Sequence, residues 1–164
     1  MSPKVFLDTN ILMDLLLQRH GYEDSAQILQ AGEDGRLDLY CSILTMANLA
    51  FILRKTVTPA VLDASMMQIQ SLVTVLPMDN DQLTEALRMH GKDFEDILQA
   101  VCARKAGCDV IISSNSKDYH ITGGKAMSLP PVMSPAEFLD QPATGKEIGG
   151  PAGRSCNSRG ERKG

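Results

Sequence analysis

The residues of this chain that could do chemistry are acids and amides placed where apolar runs end. Asp8 closes the first such run, in Leu7-Asp8-Thr9-Asn10. Asn48, Asp93, Asp96, Asn115 and Asp118 stand at comparable places further along. An acid at the end of a strand is poorly placed for packing and well placed for a ligand. Oxygen donors of this kind suit a hard divalent cation, Mg²⁺ or Mn²⁺. His20, His90 and His120 are too scattered for a zinc site.

Such residues meet only if the elements that carry them share an edge. Residues 4–7 read as a buried strand, after which Asn10 can cap a helix bearing Ile11, Leu12, Leu15 and Leu16. A second helix runs from about Asp24 to Gly32 or Gly35, and residues 37–41 read as the second strand. Helical spacing returns over 44–55, and Thr58-Pro59 opens a further helix with proline in its first turn. Residues 72–76 form the third strand candidate. Helices are expected over 79–90 and 93–106, closed by Gly91 and Gly107. The fourth strand is 109–112, and 127–132 holds a weak fifth despite Pro130 and Pro131. Ser134-Pro135-Ala136-Glu137 opens a short last helix as a capping box.

Strands separated by helices predict an α/β fold around a mainly parallel sheet of four or five strands. In a doubly wound sheet, strand C-termini and helix N-termini lie on one edge, where ligands bind. All six acids and amides named above fall on that edge. Asp93 and Asp96 are three apart on one helix face, which Ala100 and Ala103 continue. Crowded carboxylates repel unless a proton or cation relieves them. Singly, each residue could be a helix cap or turn former. Their convergence is what points to a metal site, with Asp96 or Asp93 free to orient or deprotonate a water.

The 164 residues, 43% hydrophobic and 22% charged, suit a single domain with a sizeable core. That domain is expected over 1–140. Residues 141–164 hold six of the thirteen glycines and read as a disordered tail. No apolar run approaches the ~20 residues of a membrane span, and the N-terminus lacks the basic flank and cleavage site of a signal peptide. Cys41, Cys102, Cys108 and Cys156 show no CxxC spacing, so free thiols in a reducing cytoplasm are expected. Five basic and two acidic residues from Gln141 onward put +3 on the tail, leaving −7 on residues 1–140. An acidic body does not hold nucleic acid by broad electrostatics; on a polyanion, metal ions must offset the local charge.

Three segments in register resemble a PIN domain, and within that family the bacterial VapC-toxin-like subgroup. They are Leu7-Asp8-Thr9-Asn10, Asp93-Phe94-Glu95-Asp96 and the stretch from Ile112 through Asn115 and Asp118 to Tyr119. Arg19 after the first helix and the Ser134-to-Leu139 ending fit the same pattern, over about residues 3–140. The resemblance implies a three-layer α/β/α sandwich and a metal-dependent endoribonuclease that hydrolyses RNA phosphodiester bonds. It implies Mg²⁺ or Mn²⁺ held by Asp8, Asp96 and Asp118, with Asn48 and Asn115 in the catalytic set. Thr9, Asn10, Asp93 and Ser113 would support the site, and Asp14 matches an acid often seen in the subgroup. It further implies a cognate antitoxin protein and a homodimer. The chain departs from the pattern twice, with Asn48 where an acid, often Glu, is usual and Asn115 where Asp is usual. Those amides favour a rival reading, a catalytically weak PIN-like module that binds RNA or protein.

Overall fold

On the first strand Val5 and Leu7 pack to one side and Phe6 to the other, as the two-residue period of a strand requires. A strand apolar on both sides needs helices on both faces, and the computed structural model, which describes residues 1–142, supplies them. In chain order the elements are β1 (Lys4–Leu7), α1 (Thr9–Leu17), α2 (Tyr22–Glu33), β2 (Asp38–Ser42), α3 (Ile43–Leu53), α4 (Pro59–Leu72) and β3 (Thr74–Leu76). Then follow α5 (Asn80–Ala86), α6 (Phe94–Lys105), β4 (Val110–Ile112), β5 (Val132–Met133) and α7 (Pro135–Leu139). The five strands form one parallel sheet in the order β3-β2-β1-β4-β5. Phe6 lies opposite Tyr40 on one side and Ile111 on the other.

One face is covered by α1 to α4 and α7, through Ile11, Ile28, Leu49, Ile69 and Phe138 against Val5, Leu7 and Ile112. On the other, α6 sets the small residues Ala100 and Ala103 against Phe6 and Ile111, so its axis approaches the sheet closely. Ala86, Met89, Ile97 and Val101 join α5 to α6. This is the α/β/α sandwich the sequence predicts, with five strands. A second close approach joins α2 to β2, where a Cβ on Gly32 would overlap Leu39.

Some local expectations are corrected. Asp8, not Asn10, caps α1: the Thr9 N–H donates to Asp8 Oδ1 at 2.8 Å. β5 begins only after Pro131, so neither proline needs to donate within it. α5 ends at Ala86 rather than near His90. Beyond it, His90 and Thr122 form an antiparallel bridge, the two N–H donors reaching the opposite carbonyls at 2.7 and 2.8 Å. Ser134 caps α7 by accepting from the Glu137 N–H at 3.1 Å.

Cys41, Cys102 and Cys108 are buried free thiols. Among the described residues no helix is long and apolar enough to cross a membrane. The tail expected from Gln141 lies outside the described residues from 143 onward, as does Cys156. What the fold does for function is to end its short strands at one level. Asp8, Ser42 and Ser113 all stand at that edge.

Candidate active site

Asp8 follows β1 and is 4% exposed, so its carboxylate must be satisfied by neighbours. Oδ1 accepts from the Thr9 N–H. Oδ2 accepts from the Ser113 hydroxyl at 2.9 Å and from the Asn10 amide at 3.3 Å. Ser113 follows β4, which pairs with β1, so the sheet itself aims these two side chains at each other. The Asn10 oxygen in turn accepts from the Ser114 N–H at 3.0 Å, and the Ser114 hydroxyl donates to Asp14 at 2.8 Å. The loop after β4 is thereby tied to α1.

Three side chains from α6 and its cap face the same region. Asp93 caps the helix by accepting from the Glu95 N–H at 2.8 Å and is itself exposed. Glu95 and Asp96 are half-buried. Together with Asp8, Thr9, Asn10, Met13, Arg19, Asn48, Phe51 and Ile52 they line a cleft of about 420 Å³. The acids raise one another. Burial pushes Asp96 up to about 7, and the charges of Asp8, Asp93 and Glu95 add to that. Burial, then Asp8 and Asp93, lift Glu95 above the usual carboxylate range. Burial likewise raises Asp8, while the Ser113 and Thr9 hydrogen bonds pull it part of the way back.

The remaining residues of the expected set are placed as follows. Asn48, on α3, donates its amide to Glu95 Oε1 at 2.5 Å. Asn115 is exposed, and its N–H donates to the Ser113 hydroxyl at 3.1 Å. Asp118 sits on a 3-10 turn at Ser116–Asp118, about half exposed and paired with Lys92 at 3.1 Å. It does not line the cleft and is not among the charges acting on Asp8, Glu95 or Asp96. Residues 4–117 match the PIN domain family. This chain belongs to that family.

Its PIN domain is 27% identical over 124 residues to Ribonuclease VapC1 of Aquifex aeolicus strain VF5, covering 72% of this chain and 85% of the relative. Among solved structures it resembles one chain of VapBC2 from Rickettsia felis, bound to a promoter DNA fragment, with a TM-score of 0.60 and 13% identity. That match covers 80% of this chain and 98% of the other. A chain of VapBC-1 from nontypeable Haemophilus influenzae superposes with a TM-score of 0.57 at 18% identity, covering 81% and 98%. At these identities the solved structures establish the fold.

Sequence reasoning passed over three side chains that this PIN domain brings into the site. Glu95 was hidden between Asp93 and Asp96, the pair whose spacing suggested one helix face. Gln99 is fully buried one turn further along and binds three hydroxyl residues. Its Oε1 accepts from Ser42 at 2.6 Å, and its Nε2 reaches Thr45 at 2.9 Å and Thr9 at 3.5 Å. Tyr119 follows β4 in a loop; its buried hydroxyl lies beside Asp8 and Asp96 but stops short of hydrogen-bond geometry with either. Burial and the two carboxylates hold that phenol firmly protonated.

Among the described residues no three His, Cys, Asp or Glu side chains close into a ready metal cage. The donor set of this PIN domain still fits a hard cation. It offers only carboxylate, amide and hydroxyl groups, its acids repel one another, and the Tyr119 oxygen is left without a partner. Mg²⁺ in particular is commonly held by one or two carboxylates and several waters, rather than by a cage made of protein alone.

Proposed function

We propose that this chain is a metal-dependent endoribonuclease that hydrolyses RNA phosphodiester bonds as the toxin of a toxin–antitoxin pair. The observation that carries the reading is the set of mutually repelling carboxylates around one cleft of a PIN domain. The similarity to Ribonuclease VapC1 supports RNA as the substrate class. Asp8 and Asp96 are the acids that would hold Mg²⁺ or Mn²⁺, with Asp118 at the rim. When bound, such a cation polarises a phosphoryl oxygen and offsets the charge that develops there.

The chain's own residues do the rest. Ser113, Asn10 and the Thr9 N–H fix the Asp8 carboxylate in one orientation, which is the preorganisation that electrostatic catalysis requires. Whichever of Asp96 and Asp93 the cation does not fully engage can orient or deprotonate an attacking water. Phe51 and Ile52 give the cleft one apolar wall, and Arg19 offers a cation for substrate phosphate.

The test is cleavage of a mixed RNA pool with Mg²⁺ or Mn²⁺, with and without chelator, by wild type and Asp8→Asn. Cleavage should require metal and vanish in the variant. Metal-independent cleavage, or full activity in Asp8→Asn, would overturn the reading. In favour of a catalytically weak binding module stand the two amides, Asn48 and Asn115; calorimetric titration with Mn²⁺ separates the readings, since such a module needs no specific metal uptake.

The VapBC complexes among the structural neighbours support a protein antitoxin as partner, and a homodimer is proposed with it. Three buried free thiols support action in a reducing cytoplasm.

A further inference from the structure

Three of the carboxylates at the cleft, Asp8, Glu95 and Asp96, have no basic partner: among the described residues no Lys, Arg or His forms an ion pair with any of them. Arg19 lines the same cleft, but its ion pair, at 3.7 Å, is with Asp14 and not with any of these three. Glu95 differs from the other two in how it is held. The Asn48 amide at 2.5 Å and the Thr9 hydroxyl at 3.5 Å both donate to the same oxygen, Oε1. Oε2 is left without a protein donor, on a side chain that lines the cleft. A carboxylate that serves only to brace two helices gains most when both oxygens are satisfied. One held at a single oxygen by neutral donors is oriented and keeps its other oxygen open to the cleft. Thr9 is adjacent to Asp8 and is itself fixed by Thr45 and Gln99, so one network positions both acids.

We infer that Glu95, steered by Asn48, is the third carboxylate presented to the bound cation, in the place expected of Asp118. Asp118 is half exposed and paired with Lys92, whereas Glu95 shares the cleft with Asp8 and Asp96. Asn48 thereby acts as a positioning residue rather than as a ligand: α3 contributes a donor, and α6 contributes the charge. This inference rests on the metal site proposed above.

The experiment is calorimetric titration of the full chain with Mn²⁺ alone, for wild type, Asp8→Asn, Glu95→Gln and Asp118→Asn, with thermal melts of each without metal. Wild type should bind and Asp8→Asn should not. Glu95→Gln should weaken binding by about tenfold or more, and Asp118→Asn by no more than about twofold. Without metal, Glu95→Gln should melt at or above wild type, because one member of a repelling group is gone while Asn48 keeps an acceptor. Mn²⁺ should then raise its Tm less than that of wild type. Unchanged Mn²⁺ affinity in Glu95→Gln, with Asp8→Asn still abolishing uptake, overturns this inference and leaves the proposed function standing. So does a lowered metal-free Tm with normal affinity, the signature of a purely structural Glu95. No uptake by wild type overturns both.

Discussion

The Ser113 hydroxyl donates to Asp8 Oδ2 at 2.9 Å, across the boundary between two paired parallel strands. Each residue follows the last paired position of its strand, so the contact is made by strand register and by neither residue's local sequence.

Ser113→Ala should therefore cost about 1–3 kcal/mol, because it strips a donor from a buried carboxylate. It also removes the acceptor of the Asn115 N–H. Urea unfolding at neutral pH measures this. A loss below about 0.5 kcal/mol would mean that water or Asn10 replaces the hydroxyl at little cost.

Stability without metal should depend on pH in a defined direction. The Asp96 carboxyl is raised from 3.8 to about 7, and Glu95 and Asp8 are raised as well. An acid whose folded value exceeds its unfolded one stabilises fully below the unfolded value, about pH 4 here, and that stabilisation is lost as pH rises through the folded value. Relative to Asp96→Asn, wild type in chelator should thus lose Tm between about pH 4 and 7. Adding Mn²⁺ at pH 7 or above should restore it. A wild type that gains on Asp96→Asn across that window would contradict the charge crowding.

Gln99→Leu should destabilise, although it removes none of the cleft's acids. The substitution leaves Ser42 without its 2.6 Å acceptor and Thr45 without its 2.9 Å donor, both in a fully buried setting. The expected cost is about 1–3 kcal/mol, with little change in the slope of the denaturant curve. A neutral result would show that the hydroxyls re-pair among themselves.

At Gly32 the outcome depends on the partner. Alanine improves helix propensity by about 1 kcal/mol, but its Cβ would overlap the buried Leu39. Overpacking of that kind costs about 1–3 kcal/mol, so Gly32→Ala should destabilise. In a Leu39→Ala background the same change should turn stabilising. A double-mutant cycle that proves additive would remove the close approach of α2 to β2 from consideration.

Much of the fold was legible because its signals are local. Thr58-Pro59 and Ser134-Pro135 mark helix starts through side chains and ring geometry within a few residues, and the structure uses both. Val5, Phe6 and Leu7 announce a strand buried on both faces. What was missed depends on distant partners. Asp8 and Asn10 are equally good capping types; Asp8 takes the role because its N–H continues the ladder to Ile112, which sets where β1 gives way to α1. Glu95 escaped because the three-residue spacing from Asp93 to Asp96 presumes that both lie inside the helix. Asp93 is the cap, in extended conformation, so of that pair only Asp96 lines the cleft, and Glu95 lines it beside Asp96. Tyr119 reads as a loop residue, and only the fold of the segment after β4 carries its ring under the acids.

The His90–Thr122 bridge has a kinetic consequence. It joins the segment before α6 to the segment after β4 by two reciprocal hydrogen bonds, and the Lys92–Asp118 pair spans the same gap. Neither segment can move away from the other without breaking those bonds. The two segments should therefore open as one cooperative unit, carrying Tyr119 with them, and the His90 and Thr122 amides should exchange with solvent deuterium at a common rate.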